Sequence, residues 1–452
     1  MNSDNSNNSP DEQPSSKRQL IQPRTLKGFR DYLPESMIPR ERLIGIARKI
    51  YRSYGFSPID TPTLEYLEIL TGKGSEETDR QLYRFEDHGG RSVGMRFDLT
   101  VPLARFVAQH INTLGTPFKR YHIAPVWRGE NTQRGRYREF MQCDFDTIGT
   151  LSVAADIETG LVINDLFKEI GFERFTIHVN NRQVLTGLLE QIGVDAQATA
   201  ILRSLDKLAK IGPERTAQEM VDNAGITAQQ AEQVLAITTL AGSNQEILEN
   251  LKPLVDQSEL GTTGVERLQQ ILDGLAAGGV APERIKLDVS IARGLDYYTG
   301  VIFETFLDDL PEIGSVCSGG RYDNLAELYT KQQLPGIGAS LGLDRLLTAM
   351  DELGMIDKVK TPADILVVYF EKDQLNKYLE IAANLRQAGW KVEVFPDAKK
   401  MGKQLKYADV RGFQYALIAG GDELQRDVCQ IKNLQTGESV EYPLSSVATD
   451  MQ

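Results

Sequence analysis

Residues 118–148 read FKRYHIAPVWRGENTQRGRYREFMQCDFDTI, and this stretch decides the architecture. Two runs rich in aromatic and β-branched residues, Phe118–Arg128 and Arg136–Ile148, flank a polar connection containing Gly129 and Gly135, the pattern of a pair of long strands. In an extended second strand, Arg136, Arg138, Phe140, Gln142, Asp144 and Asp146 share one face. The alternate row, Tyr137, Met141, Cys143 and Phe145, is mostly apolar and suits a core. A water-facing row would also be polar. One phenylalanine set between arginines and a carboxamide, however, suits a surface that stacks a planar ring. The first strand ends at Trp127-Arg128-Gly129-Glu130, so the Arg128 guanidinium is available to a phosphate on the same face.

Upstream, helix-period apolar residues from Pro39 to Tyr54 stop before Gly55, and a strand-like run follows from Phe56 to Asp60. After Pro62 comes an apolar stretch, Leu64–Leu70, then strand signals around Leu82–Phe85 and Gly94–Asp98, then a helix over Val101–His110. Arg96, Asp98 and Thr100 fall on one side of a strand end. Asp98 there either receives a cationic amine or imidazole N–H, or caps the helix that begins at Thr100-Val101-Pro102.

Downstream, residues 191–282 are rich in Ala, Gln, Leu and Glu at helical spacing and read as a helical insertion. Strand signals resume at Ile285–Ile291 and Val301–Phe306, with Arg293-Gly294-Leu295-Asp296-Tyr297-Tyr298-Thr299-Gly300 between them. A fixed cation beside phenol hydroxyls suits a site for a phosphate and a small polar ligand. It is equally a tight turn whose tyrosines pack inward. A Gly-rich passage from Gly336 to Met350 runs from strand to helix, with Arg345 in the first turns. After Thr361-Pro362 a second unit alternates strands (Ala363–Phe370, Trp390–Phe395, Tyr415–Ala419) with helices (Leu375–Ala388, Met401–Val410), which implies a small α/β domain.

The 452-residue length calls for two or three domains, and 41% apolar with 25% charged residues is ordinary soluble composition. No apolar run is long enough to span a membrane, and the N-terminus lacks a secretory leader, so a cytoplasmic protein is expected. Residues 1–16 hold no apolar residue after Met1 and are expected to be disordered, with folded structure from about Pro23. Three scattered cysteines suit a reducing compartment, and four histidines without metal-ligand spacing give no reason to expect bound zinc. The net charge of −13 argues against a nucleic-acid partner only as a whole-chain sum, because a local basic surface can coexist with it. Neither a P-loop nor a Rossmann fingerprint is present.

The order of these pieces resembles the class II aminoacyl-tRNA synthetases, and in detail the histidyl-tRNA synthetase family, over nearly the whole chain from Gly28. The helix ending at Gly55 with the strand to Pro62 is similar to that class's first motif. Arg128-Gly129-Glu130 through Phe140-Met141-Gln142 resembles the second, and Gly338 through Arg345 the third. Arg293-Gly294-Leu295-Asp296-Tyr297-Tyr298 and Ser318-Gly319-Gly320-Arg321-Tyr322-Asp323 resemble the two histidine-specific signatures.

The resemblance implies an α/β chain. Its parts would be an α+β catalytic domain (23–190 and 283–355) with a helix-flanked antiparallel sheet, the 191–282 insertion, and a C-terminal α/β anticodon-binding domain (362–452) after a 1–22 tail. It implies adenylation of histidine by ATP with Mg²⁺, then transfer to the 3′-terminal adenosine of histidine tRNA, by a homodimer. It assigns Arg128, Glu130, Arg136, Phe140 and Arg345 to ATP. It assigns Asp98, Thr100, Gln142, Asp146, Arg293, Tyr297, Tyr298 and Tyr322 to histidine, with Arg293 approaching the α-phosphate where other class II enzymes use a metal. The catalytic cations would be Arg128, Arg293 and Arg345. Gln133 and Arg134 would meet the tRNA acceptor end, and Lys399, Lys400, Lys403, Lys406 and Arg411 its anticodon arm. Asp98 stands where relatives carry a longer glutamate. A paralogue that regulates ATP phosphoribosyltransferase by binding histidine is the competing implication, as is a synthetase for another amino acid.

Overall fold

The computed structural model describes residues 20–71, 80–292, 294, 298–357 and 359–451, and the disorder expected for the tail falls mostly outside them. The strands are, in chain order, β1 (Ser57–Pro58), β2 (Leu64–Tyr66), β3 (Arg84–Glu86), β4 (Ser92–Met95), β5 (Phe118–Trp127), β6 (Glu139–Ile148), β7 (Phe175–Asn181) and β8 (Ile285–Leu287). They continue with β9 (Val301–Leu307), β10 (Cys317–Tyr322), β11 (Gly336–Gly342), β12 (Ile365–Val367), β13 (Val392–Val394), β14 (Tyr415–Ile418), β15 (Val428–Asn433) and β16 (Ser439–Pro443).

Eight of them form one sheet in the order β1-β5-β6-β11-β10-β9-β7-β8, antiparallel except for the parallel edge pairs β1–β5 and β7–β8. Strands from both sides of the helical segment thus interleave in a single sheet. The helices from Arg182–Ile192 to Glu259–Ala277 begin before the expected 191–282 segment and end within it, and their apolar side chains join the sheet's own core cluster.

Period-two alternation divides the sheet's faces. Tyr121, Cys143, Phe145, Ile337, Ala339, Leu341, Phe303 and Ile177 lie in the main core beneath the helices Pro34–Ser53 and Val153–Ile170. The opposite rows are largely polar or small, with Val126, Phe140 and Ile148 among them. This difference positions the site: the helices Pro34–Ser53 and Val153–Ile170 close one face, and the helix Thr100–Leu114 covers part of the other.

The second strand of the opening pair is shorter than its pattern predicts. β6 begins at Glu139, because Gln133 and Arg136 exchange backbone hydrogen bonds (2.9 and 3.2 Å) across a turn in which Gly135 has φ 67°. Arg136 therefore leaves the row, whereas the Arg138 carbonyl still accepts from Arg128 N at 2.9 Å and its side chain donates from Nε to the Glu130 carbonyl at 3.2 Å. Phe140, Gln142, Asp144 and Asp146 keep the row.

The helix Val153–Ile170 starts at Ser152, whose hydroxyl accepts from Ala154 N at 3.3 Å. It carries the fully buried Asp156, which accepts from Arg321 of β10 (Nη2, 2.6 Å) and from Arg267 of the helix Glu259–Ala277 (Nε, 2.7 Å). One carboxylate thus ties the sheet to two helices. Asp156→Ala strands the buried Arg321 without its main counter-ion and is expected to cost about 3–5 kcal/mol in denaturant unfolding. Removing the more exposed Arg267 should cost much less.

The C-terminal sheet, order β13-β12-β14-β15-β16, has parallel β13–β12–β14 and antiparallel β14–β15–β16 pairs, and it packs a separate apolar core. The predicted strands shorten by one or more residues at their ends, while the helices Leu375–Gln387 and Met401–Arg411 fall where the periodicity puts them.

Candidate active site

The register of the sheet builds the site. Arg120 and His122 on β5 stand opposite Asp146 and Asp144 on β6, and Ala124 opposite Gln142. On the other side of β6, the same three residues face Gly338, Ser340 and Gly342 of β11. Gly336 pairs in turn with Tyr322 of β10, and Gly338 with Gly320. A charged floor on β5–β6 therefore lies next to a floor of minimal side chains on β11–β10.

Those small residues are required by packing. A Cβ at Gly338 would sit 2.2 Å from Asp146 Oδ1, and one at Gly336 2.4 Å from the Tyr322 ring. Gly294, at φ 69°, leaves room for the Tyr298 ring, which a Cβ would meet at 1.9 Å. The same ring passes 2.9 Å from the position a Cβ at Gly320 would take. Tyr298 and Tyr322 thus sit over the glycine floor, and the Tyr322 hydroxyl donates to Asp146 Oδ1.

Several buried polar atoms on this face have no hydrogen-bond partner among the described residues: Arg120 Nε and Nη1, His122 Nδ1, Gln142 Oε1 and Asp144 Oδ1. Buried groups of that kind are rare in finished cores and mark places where a polar ligand belongs. Burial, only partly opposed by Arg120, pushes the Asp144 carboxyl up to about 7. The Asp146 carboxyl is also raised by burial, against Arg120 and the Tyr322 hydroxyl. Burial and the neighbouring Arg120 and Arg96 hold His122 down to about 4, although it meets Asp60 at 2.9 Å.

The turn before the helix Thr100–Leu114 closes the floor from one side. Arg128 Nε donates to the Phe97 carbonyl at 2.9 Å and Arg120 Nη2 to the Leu99 carbonyl at 3.3 Å. Asp98 lies between these anchors, and its Oδ1 accepts from Val101 N at 3.0 Å, so it caps the helix. Burial raises its pKa, against that bond and the two arginines. The capping reading and the proximity to the cations hold together. Thr100 is buried beside it.

At the other end, the Arg128 guanidinium lies 5.1 Å from the Phe140 ring centroid. Arg345, in the helix Leu343–Glu352, donates to the Ser315 carbonyl, and its Cα lies 3.3 Å from the point a Cβ on Gly135 would occupy. Its neighbour Asp344 is buried and accepts from Arg30 Nη2 (2.7 Å), from the Tyr32 hydroxyl and from Met141 N (2.9 Å). That carboxylate locks β6, the N-terminal segment and this helix together. Glu130 stands 4.0 Å from Arg136, and both are partly exposed.

Arg128 and Phe140 thus lie together at one end of the face, with Arg345 following β11 next to Gly342; Gln142, Asp146, Tyr298 and Tyr322 stand over or beside the glycine floor, and Asp98 and the buried Thr100 lie at the helix entrance. Arg293 and Tyr297 lie outside the described residues. Around them, Ala292 is buried, and Asn180 Nδ2 holds the Val289 and Ile291 carbonyls at 3.3 and 2.8 Å. Gln133 and Arg134 are exposed on the turn after β5, with Arg134 paired to Glu352. Lys399, Lys400, Lys403 and Lys406 are exposed along and just before the helix Met401–Arg411. Arg411, the last residue of that helix, is half-buried, with its guanidinium carbon 5.8 Å from the Tyr407 ring centroid.

Arg120, which the sequence reading passes over, is the residue most deeply set in the site. Its signal was available: an arginine in the same alternating row as the acidic residues opposite. Among the described residues, no group of three or more metal-ligating side chains is arranged to hold an ion. No described helix is long and apolar enough to cross a membrane. All three cysteines are free and buried.

Comparison with known proteins supports the same reading. Residues 28–346 match the family profile described as histidyl-tRNA synthetase, and residues 364–452 match that of an anticodon-binding domain. The chain is 63% identical over 431 residues to the histidine–tRNA ligase of Rhodopirellula baltica, covering 95% of this chain and 98% of that one. It is 47% identical to the histidine–tRNA ligase of Wolinella succinogenes, covering 93% and 95%. A crystal structure of histidyl-tRNA synthetase from a Nostoc species superposes with a TM-score of 0.87 at 34% identity, covering 96% of this chain and 99% of that one. A Bacillus halodurans structure described as an ATP phosphoribosyltransferase regulatory subunit/histidyl-tRNA synthetase, at 23% identity and TM-score 0.72, shares the fold over 85% of this chain and 97% of that one. With motifs, sheet register and the sequence of nearly the full chain in agreement, this protein belongs to the histidyl-tRNA synthetase family.

Proposed function

We propose that this chain is a histidine–tRNA ligase that adenylates histidine with ATP and transfers it to the 3′-terminal adenosine of histidine tRNA. The observation that carries this is the glycine-floored face between Asp146–Tyr322 and Arg128–Phe140–Arg345. It offers a slot for a small amino acid beside cations for a nucleotide. Phe140 and Arg345 sandwich adenine, Glu130 takes its amino group, and Arg128 holds the α-phosphate, with Arg136 nearby and Arg293 completing the charge set from the histidine side. Mg²⁺ would enter with ATP as part of the substrate.

Asp98, Thr100 and Gln142 take the amino acid's polar backbone atoms. Asp146, Tyr297, Tyr298 and Tyr322 enclose the imidazole. Fixed cations around developing negative charge lower the barrier without a covalent intermediate on the enzyme. A pocket whose donors and acceptors match imidazole rejects amino acids that leave them unpaired. We read the chain as two catalytic segments (23–190, 283–355) split by the insertion (191–282), followed by an anticodon-binding domain (362–452), acting as a cytoplasmic homodimer. The insertion clamps the acceptor arm, Gln133 and Arg134 approach its end, and Lys399, Lys400, Lys403, Lys406 and Arg411 serve the anticodon arm.

Histidine-dependent exchange of pyrophosphate into ATP tests the reading. A regulatory paralogue would bind histidine without exchange, and a different specificity would need another amino acid. Arg293→His is expected to lower the rate of adenylation far more than it weakens histidine binding. Equal losses would remove its transition-state role.

A further inference from the structure

We propose that Arg120 is a positioning residue of the histidine pocket, holding the Asp146 carboxylate aimed and in its charged form while Asp144 shares that charge from the adjoining position. The inference rests on the reading of Asp146 as a histidine contact. Arg120 is fully buried on β5, with Nη2 2.7 Å from Asp146 Oδ2 and 4.0 Å from Asp144 Oδ2. Two buried carboxylates therefore share one buried guanidinium. Around this cluster stand His122 on β5, Cys143 on β6, Tyr322 and Cys317 on β10, Ser340 on β11, Tyr51 in the helix Pro34–Ser53, and Asp98 with Arg128 at the helix entrance.

Without a cation, a desolvated carboxylate takes up a proton and stops accepting hydrogen bonds as an anion. Asp146 already receives the Tyr322 hydroxyl on Oδ1, and Arg120 Nη2 stands 2.7 Å from Oδ2 as an ion pair without hydrogen-bond alignment, so the cation neutralises that oxygen and leaves its lone pairs to a ligand. The cluster holds one positive and two negative groups, so it binds one proton more readily than isolated carboxylates would. Burial places the Asp144 step near neutrality. The two acids titrate as a pair, and the anion rests on Asp146 in full only where Asp144 does not compete for it.

The experiment is kcat/KM for histidine in pyrophosphate exchange, from about pH 5.5 to 9, for wild type and four variants. The substrate's own titration is common to all and cancels in the ratios to wild type. Asp144→Asn leaves a single carboxylate beside the cation, so the near-neutral inflection should move down and out of the range. Arg120→Leu withdraws the cation, so the inflection should move up, with KM for histidine rising about tenfold or more and KM for ATP within about twofold. Arg120→Lys should restore part of this, with a point charge lacking the planar fork. Unchanged pH profiles in both Arg120→Leu and Asp144→Asn, or parallel rises of both KM values with a falling Tm, would overturn the inference. If Arg120→Leu does not fold, Asp144→Asn and Arg120→Lys decide it by the same shifts. Asp146→Asn separates the levels. An unchanged KM for histidine there would remove the pocket assignment itself. A raised KM there, with wild-type profiles at Arg120 and Asp144, would remove only this role.

Discussion

Gly338→Ala is expected to lower kcat/KM for histidine in pyrophosphate exchange by about 100-fold or more and to destabilise the fold by about 1–3 kcal/mol. The added methyl would lie 2.2 Å from Asp146 Oδ1 and 2.4 Å from the Phe145 carbonyl oxygen. Such contacts cannot persist, and the carbonyl belongs to the β6 backbone, which is hydrogen-bonded on both sides. Either the β6–β11 pair separates locally or the Asp146 carboxylate swings away from Arg120 and Tyr322. Both outcomes displace the floor by about an ångström, and catalysis is unforgiving of that error. Gly45→Ala is the control, because a Cβ there meets nothing within 4 Å and lies inside the helix Pro34–Ser53. It should stabilise by about 0.5–1 kcal/mol. If both substitutions behaved alike in exchange and in unfolding, the close approach at Gly338 would not matter to the site.

Arg128→Ala is expected to reduce kcat for adenylation by about 100- to 1,000-fold, equivalent to roughly 3–4 kcal/mol of transition-state stabilisation. The side chain is partly exposed, donates once to the Phe97 carbonyl and lies over Phe140. Its removal thus costs little packing, and unfolding should change by no more than about 1 kcal/mol. Arg128→Lys should recover only a fraction of the rate, since an ammonium neither spreads over the Phe140 ring nor grips two phosphate oxygens in a fork. A loss confined to KM for ATP, with kcat intact, would show uniform nucleotide binding and sink the transition-state role.

Much of the site could be read from period-two spacing alone. The row Phe140, Gln142, Asp144, Asp146 keeps its face because β6 is extended and paired on both sides, so side-chain direction follows from position. The row failed where extension failed. At Arg136 the Gly135 turn redirects the chain, and the Arg138 side chain is held by the Glu130 carbonyl. Asp98 presented two readings; the structure shows the cap, a local bond, and sets Arg120 and Arg128 of another strand beside it. Arg411 is less exposed than the four lysines, because its guanidinium rests by the Tyr407 ring at the end of the helix.

The amino-acid sequence alone determined the order of the motifs and of the strands and helices around them, the helical segment between strand-rich parts, and the family, while β7, β15, β16 and the helix Val153–Ile170 came only with the structure. These follow from local periodicity, turn chemistry and short motifs, which act within a few residues. Only the tertiary structure decided which rows face each other: Arg120 against Asp146, Gly338 beneath its carboxylate, and Tyr298 over Gly320. Those contacts join residues far apart in the chain. They depend on strand register, where a slip of one residue would turn every one of these side chains to the opposite face.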